Sequence, residues 1–498
     1  MAAHLDPTTS MTNLPLLLAT SVTVPLAGPL LLPLAGRISG ALRSAVALVF
    51  VLTALGCAVA LLPAVLGGST ATVSVHGVAL LHADRLAVFM ALVSTLLGAV
   101  IVVYSFGYLS GLPNRDEYDL MVVLFLGAMM ALVFARHLLV LYAAWELTAV
   151  ACWRLIGFFR KDGCVLRADK AFLITALGAV LMLLGFIGVY VGQGTFDLGR
   201  LQGVRLPTWA AALILAGLFS KSATLPLHSW LPDAGVAPSP VTALLHAAVL
   251  VKIGVYVYAR LFGATFVADP MVGEIVPWIA ATSALVAGMA ALLEHDLKRI
   301  IAYSTVSQIG FIFLGLAVGT PEATQGALLF VLMHAIAKGG LFLCAGIIEH
   351  GTHTKDIRKM GGLARAMPVT AGCFALCACS VMGLPPFGGY FSKHLVISGA
   401  LAAGRLPVAL VFLAGSGLTL LYLARVFDKV FLGPPGVAVQ GRAVHEGTRL
   451  MVGCVAVLAA LALGSGLFSR YPSAVAGAVA RDLSRRPATL AEAGRVGP

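Results

Sequence analysis

The chain has 498 residues, 60% hydrophobic and only 11% charged, with 33 Lys and Arg against 21 Asp and Glu. That composition excludes an ordinary soluble globular domain. The formal charge of +12 fits basic loops at a membrane surface, and a nucleic-acid footprint is not required to explain it.

A hydrocarbon core of about 30 Å takes roughly 20 apolar residues per helix. About fourteen segments qualify, at 14–35, 43–66, 84–109, 119–135, 137–158, 171–192, 208–226, 240–260, 275–293, 300–318, 325–348, 368–396, 407–427 and 450–468. Before the first segment stand only His4 and Asp6, with no basic n-region, and further spans follow it, so it reads as a helix and not a cleaved signal. The fold class expected is an all-α polytopic membrane protein of about 14 transmembrane helices. The polar stretches near 428–449 and 470–498 are too short for a domain, so residues 1–498 read as one membrane domain.

With the first residue outside and fourteen crossings, the loops on the far side carry seventeen Lys and Arg. The near-side loops carry only Arg85, Arg136, Arg200, Arg205, Arg260 and Arg405. The positive-inside rule then puts both termini on the non-cytoplasmic side of the inner or plasma membrane. The tail arginines Arg470, Arg481, Arg485, Arg486 and Arg495 run against that placement. The eight cysteines are scattered, with Cys373, Cys377 and Cys379 in one apolar span. Their spacing fits no zinc, haem or iron–sulfur site and reads as packing.

Five charges fall inside these spans: Glu146, Lys221, Lys252, Lys338 and Lys393. A charge at bilayer depth costs a few kcal/mol even on the lenient scales (about 2.5–3.5) and so marks a polar path, an ion site or a paired structural group. Glu146 is near mid-span, with Lys221 at comparable depth as its natural partner; a static pair that fixes helix register is the plainer reading. His246 and Lys252 differ by about 9 Å in depth on one helix and read as successive stations, although His246 alone also fits a packing histidine. His334 and Lys338 stand at i and i+4 and share a helix face. Lys338 is too deep to snorkel, and a desolvated lysine exchanges protons more readily than an exposed one. Lys393 is an outer station or a snorkelling anchor. Arg154, eight residues after Glu146, reads as an anchor. Asp296, Lys298 and Arg299 form a turn before the polar string Tyr303 to Gln308.

The string G-x-F-S-K occurs twice, at 217–221 and 389–393, beside Pro226 and Pro385-Pro386. Proline breaks the helical ladder. Paired broken helices in two halves point to an inverted-repeat core, here with helices 7 and 12 antiparallel.

The strings Trp145-Glu146, Ser220 to Ala234, Thr242 to Tyr256, Asp296 to Gly310, His334 to Gly346 and Gly383 to Lys393 together resemble the antiporter-like membrane subunits. This family is shared by respiratory complex I, multisubunit sodium/proton antiporters and membrane-bound energy-converting hydrogenases. The resemblance implies two inverted five-helix repeats, 118–265 and 272–430, with broken helices 7 and 12. They are preceded by helices 1–3 (1–117) and followed by a last helix and tail (445–498). It implies that Glu146 and Lys221 are the coupling pair, Lys252 a bridging lysine, Lys338 the central lysine with His334 beside it, and Lys393 the terminal residue. His246, His334 and His228 are expected as auxiliary proton relays. The resemblance also implies protons, or alternatively sodium, as cargo and other membrane subunits as partners, with peripheral redox subunits supplying any electron transfer. No flavin, quinone, iron–sulfur or metal site is expected in this chain.

Two departures stand out. About thirty residues follow residue 468, so the lateral helix of the longest complex I subunit of this type is expected to be absent. The string Ala151-Cys152-Trp153-Arg154 also differs from the small polar or aromatic residues usual after the glutamate. The sequence reading is a proton-translocating subunit of a complex I-like or hydrogenase-like assembly. A subunit of a cation/proton antiporter, a membrane partner for inorganic-carbon uptake, a stand-alone solute carrier and a structural anchor with a dead channel stay open beside it.

Overall fold

The first helix, α1 (Leu14–Ile38), runs through a 3-10 turn at Gly28–Leu31, where three prolines, Pro25, Pro29 and Pro33, interrupt the ladder. It opens a computed structural model of the protein that describes residues 13–267, 269–441 and 444–484, apart from the side chain of Met271. His4, Asp6, Arg485, Arg486 and Arg495, which bear on the placement of the termini, lie outside those residues.

The remaining helices are α2 (Gly40–Leu66), α3 (Arg85–Tyr108), α4 (Arg115–Val133), α5 (Leu138–Ile156), α6 (Asp162–Gln193), α7 (Thr208–Lys221) and α8 (Ser239–Thr265). They are followed by α9 (Pro270–Leu293), α10 (Leu297–Val318), α11 (Pro321–Thr352), α12 (Pro368–Met382), α13 (Gly388–Ala402), α14 (Leu406–Phe431), α15 (Arg449–Leu467) and α16 (Arg470–Ser484). The chain is an all-α, multi-pass membrane protein. Eleven helices among the described residues are long and apolar enough to cross a membrane, against about fourteen segments expected. The difference has three physical sources. α4 carries Arg115, Asp116, Glu117 and Asp119 in its first turns; α7 stops at Lys221; and the expected span 368–396 is two helices, α12 and α13, parted at 383–387.

Local chemistry sets several ends. The carboxylates of Asp84 and Asp296 accept from the backbone N–H groups of Ala87 and Arg299, and Thr320 caps α11 ahead of Pro321. Gly194, Gly319 and Gly383 close α6, α10 and α12 in the left-handed conformation. At Gly383 a β-carbon would in addition lie 2.9 Å from Lys393 Cδ.

Packing sorts the helices into an inner and an outer set. The apolar stretch of α8 is wholly buried and that of α11 94% buried, whereas α1, α2, α6, α14 and α15 turn most of theirs outward. Exposed Leu173, Leu177, Val191 and Trp278 mark faces suited to lipid. α11 is the hub, packing against α8, α10, α12, α13, α15 and α16.

Two short strands not anticipated from the sequence, Ala71–Val75 and Val78–Ala83, form a hairpin whose second strand continues by hydrogen bonds to residues 134–136. The expected polar tail instead begins as α16, which packs on α3 and α11, with Arg85 Nη1 2.7 Å from Asp482 and Gln325 donating to Ser473. On this hairpin face Arg260 grips Asp84 through both terminal nitrogens, at 2.5 and 2.8 Å, and also meets the Tyr256 hydroxyl. The opposite face is tied by Lys170 and Arg299 on Asp233 and by Arg154 and Arg160 on Glu117.

Burial raises the Asp84 carboxyl, but the Arg260 guanidinium outweighs it and holds the group down to about 2. A carboxylate depressed in the folded state stabilises above its unfolded value, about 3.9, and loses that contribution as pH falls towards about 2. Asp84→Asn should therefore lower the thermal midpoint of the detergent-solubilised protein at pH 6. The deficit should shrink as pH falls through about 4; a deficit independent of pH would contradict the ion-pair account.

Candidate functional site

Each intramembrane charge anticipated from the sequence is placed by a specific helix. Lys221 is the last residue of α7 and fully buried. Its ammonium donates to the Trp145 carbonyl at 3.0 Å and lies 5.3 Å from the centre of the Trp145 ring. Glu146, in the middle of α5, is half-buried, and its Oε1 has no hydrogen-bond partner among the described residues. Lys221 and Glu146 are within electrostatic reach, yet no ion pair joins them among the described residues. Cys152 completes this first group, facing Lys221 from one and a half turns along α5.

The second group is built on α8, α11 and the break before α13. α8 is not a regular helix: Ala243–Ala248 and Ala259–Thr265 are π-helical, and Val249 leaves helical geometry between the first of these and Leu250–Tyr258. Such wide turns free carbonyls and recur at functional positions. Fully buried Lys252 uses one, donating to Ala247. His246, in the same wide turn, is fully buried against the Phe342 ring at 4.7 Å, with both nitrogens unpartnered among the described residues. His334 on α11 is likewise buried with both nitrogens unpartnered. Lys252, Lys338, His246 and Lys393 all lie within its electrostatic reach.

Lys338, one turn on, donates to Ser304 Oγ at 2.5 Å and to the Ile301 carbonyl at 3.2 Å. Ser304 in turn lies 2.5 Å from the Tyr422 hydroxyl on α14, which reaches Thr419 at 3.3 Å. Lys393 lies beneath the last turn of α12, its ammonium 2.9 Å from the Val381 carbonyl and 3.2 Å from that of Met382. That is the negative end of a helix macrodipole, a favourable seat for a cation.

The row is thus two groups. Among the described residues no electrostatic contact joins Lys221 to Lys252; their helices meet instead through Ser222 Oγ on the Val251 carbonyl at 2.9 Å. A β-carbon at Gly254 would strike Ser222 and the Leu218 backbone, so glycine permits this approach. His228 stands apart from both groups, half-buried beside Tyr303 and facing Lys170. Arg154 bonds Glu117 at 2.5 Å, an anchor at the helix end. Asp296 is a helix cap, while Arg299 bridges Glu294 and Asp233.

Sequence reading missed Tyr422, Thr419 and Glu349. Hydroxyls in apolar spans are common and carry no signal by themselves; only the fold brings Tyr422 to Ser304. Glu349 lies near a span end, where a carboxylate is unremarkable, and the fold pairs it with Lys298 at 2.6 Å.

Comparison with known proteins fits this architecture. A family model described as "NADH:quinone oxidoreductase/Mrp antiporter, TM" matches residues 135–419, more than half of the chain and every residue from Glu146 to Lys393. The chain belongs to the NADH:quinone oxidoreductase/Mrp antiporter family of membrane subunits. A second model, for the N-terminus of complex I chain 5, matches residues 73–118. One subunit of the Na(+)/H(+) antiporter of Alkalihalophilus pseudofirmus is 36% identical over 77% of this chain and 52% of its own length. The L subunit of the NADH-quinone oxidoreductase of Escherichia coli is 36% identical over 70% of this chain and 58% of its own length. The chain therefore spans about half the length of these curated relatives. A chain of the Mrp complex from Dietzia sp. superposes with a TM-score of 0.87 at 24% identity, over 96% of this chain and 99% of that one; at that identity the match speaks for the shared fold of an NADH:quinone oxidoreductase/Mrp antiporter subunit.

Removing one partner of a hydrogen bond to a charged group costs about 1.5–3 kcal/mol, roughly ten- to a hundredfold in an equilibrium. Ser304→Ala should therefore lower the stability of the detergent-solubilised protein by about 1.5–3 kcal/mol. Tyr422→Phe, which meets Lys338 through Ser304, should lower it less. Thermal midpoints of the two variants check the order, and an unchanged midpoint in Ser304→Ala would show that the Lys338 ammonium does not depend on this contact.

Proposed function

We propose that this chain is the ion-translocating membrane subunit of a multisubunit monovalent cation/proton antiporter. The observation that carries the reading is that Lys252, His246, Lys338 and Lys393 are all buried and within electrostatic reach of buried His334. They lie in a chain whose likeness to a sodium/proton antiporter subunit extends over 77% of its length. Buried amines and imidazoles with no carboxylate among them exchange protons readily, since desolvation disfavours their charged forms.

In this reading protons are taken up from the cytoplasmic side near Lys252 and His246, pass by His334 to Lys338, and leave outward by Lys393. Glu146 and Lys221 form the coupling element. When the carboxylate closes on the ammonium, the charged lysine is favoured; when it opens, the proton on Lys221 is destabilised and the change is felt along the row. The arrangement with Lys221 on the Trp145 carbonyl corresponds to the open form. Fourteen crossings follow if α4, the interrupted span at α7 and that at α12–α13 each traverse once. The interruptions after Lys221 and at 383–387 are the matching breaks of two inverted repeats, 118–265 and 272–430. The hairpin face is then the non-cytoplasmic one, opposite the face richer in Lys and Arg.

A second reading, proton pumping driven by electron transfer in partner subunits, draws on the likeness to the L subunit of the Escherichia coli NADH-quinone oxidoreductase. Affinity purification of the tagged chain with its partners, followed by reconstitution, separates the two. The antiporter reading expects proton movement on a sodium gradient with no electron donor present, and at least a hundredfold loss in Lys338→Ala with assembly intact. Flux that appears only with an electron donor would favour the redox reading, and full flux in Lys338→Ala would remove the lysine row from either.

A further inference from the structure

On the face opposite the hairpin, Lys298 turns inward from the first turn of α10 and is only 2% exposed. Its ammonium is 2.6 Å from Glu349 Oε2 and 3.2 Å from the Ala237 carbonyl. Glu349, near the end of α11, keeps 25% of its side chain exposed, so the pair straddles the boundary between water and the interior.

Every neighbouring element contributes to its setting. Lys355 lies 3.4 Å from Glu349 Oε1, the Ser239 hydroxyl donates to Oε2 at 3.4 Å, and Tyr104 and Tyr108 on α3 are within electrostatic reach of the carboxylate, the Tyr104 hydroxyl donating to the Leu343 carbonyl at 2.9 Å. Asp296 faces Lys298 and Lys355 in turn. A β-carbon at Gly346 would lie 2.6 Å from Ser239 Cβ and 2.7 Å from the Tyr104 hydroxyl. α3, α8 and α11 therefore form a neck one turn inside Glu349.

Behind that neck is His246. Its imidazole lies within electrostatic reach of both Lys298 and Lys338, and neither ring nitrogen has a partner among the described residues. At about 1.5 Å per residue, His246 is about 10 Å deeper than Ser239 along α8, and Lys338 about 16 Å deeper than Glu349 along α11. The histidine thus falls between the half-exposed carboxylate and the buried amine.

We propose that Glu349 is the residue that loads protons into this chain, and that its ion pair with Lys298 is the valve on the path to His246. The inference rests on the reading of Lys338 as the central station. The Glu349 carboxylate takes a proton from water and, once neutral, releases Lys298, whose ammonium stays on the Ala237 carbonyl. The carboxyl proton passes through water to a free nitrogen of neutral His246, and the imidazolium gives it to the neutral amine of Lys338. The carboxylate left behind pairs again with Lys298 and closes the path, so one proton has moved and every other group is restored. A pair that only pinned α10 to α11 would need no unpartnered imidazole behind it, and such pairs are weak stabilisers.

The test is proton flux in proteoliposomes that hold the complete multisubunit complex. Glu349→Gln should lower flux at least tenfold with assembly unchanged. In Glu349→Ala, added formate or azide should restore part of the flux, because a small acid can replace a proton carrier but not a structural pin. Flux at the parent rate in Glu349→Gln, or a Glu349→Ala defect that neither acid relieves, overturns the proposal. If Glu349→Gln fails to assemble, the neutral pair Lys298→Gln with Glu349→Gln takes its place; an assembled but inactive complex supports the valve, and an active one refutes it. Lys338→Ala, run alongside, separates the two levels. Normal flux there sinks the central-station reading, whereas an inactive Lys338→Ala beside a normal Glu349→Gln sinks the loading residue alone.

Discussion

A buried ammonium must find an acceptor, and in this protein each of the buried row lysines finds it on the main chain. Lys221 donates to Trp145, Lys252 to Ala247, Lys338 to Ile301 and Lys393 to Val381 and Met382. An isolated charge in a low-dielectric interior costs several kcal/mol or more. A carbonyl lowers that cost without neutralising the charge as a carboxylate would. The lysine is held in place without an opposite charge beside it.

That constraint explains irregularities in the helices that composition alone would not ask for. A regular helix uses almost all its carbonyls in its own ladder. Lys393 takes the free carbonyls at the end of α12, an end created by the break at 383–387. Lys252 takes one within the π-helical turn of α8. Trp145 and Ile301 are mid-helix acceptors, and each is also approached by a threonine hydroxyl, from Thr148 and Thr305, which draws on the carbonyl's second lone pair. The glycines at 254 and 346 let neighbouring helices approach closely, at Ser222 and at Ser239.

The division of the polar row follows from the same geometry. The Glu146 and Lys221 group sits between α5 and α7, while the His334 cluster sits between α8, α11 and α13, with helix packing through Ser222 and Val251 between them. Lys298 and Glu349 form a third group at the surface.

The sequence by itself determined the membrane class, most of the helices, the breaks near Pro226 and Pro385-Pro386, and the burial of Lys221, Lys252, Lys338 and Lys393. These follow from local quantities: apolar run length, the missing N–H of proline, and the cost of a charge in hydrocarbon. It misjudged how spans 7 and 12 are interrupted, and it missed the hairpin at 71–83 and the helical start of the tail. Those depend on what each segment packs against; short strands become stable only when residues 134–136 extend them, and α16 only when α3 and α11 cover its face. Tertiary structure alone decided the partners. The natural pairing of Glu146 with Lys221 by depth became a contact with the Trp145 carbonyl, and Glu349 gained its meaning from Lys298, fifty-one residues away. Depth along a helix can be read from spacing, but direction around it and the neighbour it meets are fixed only when the helices pack.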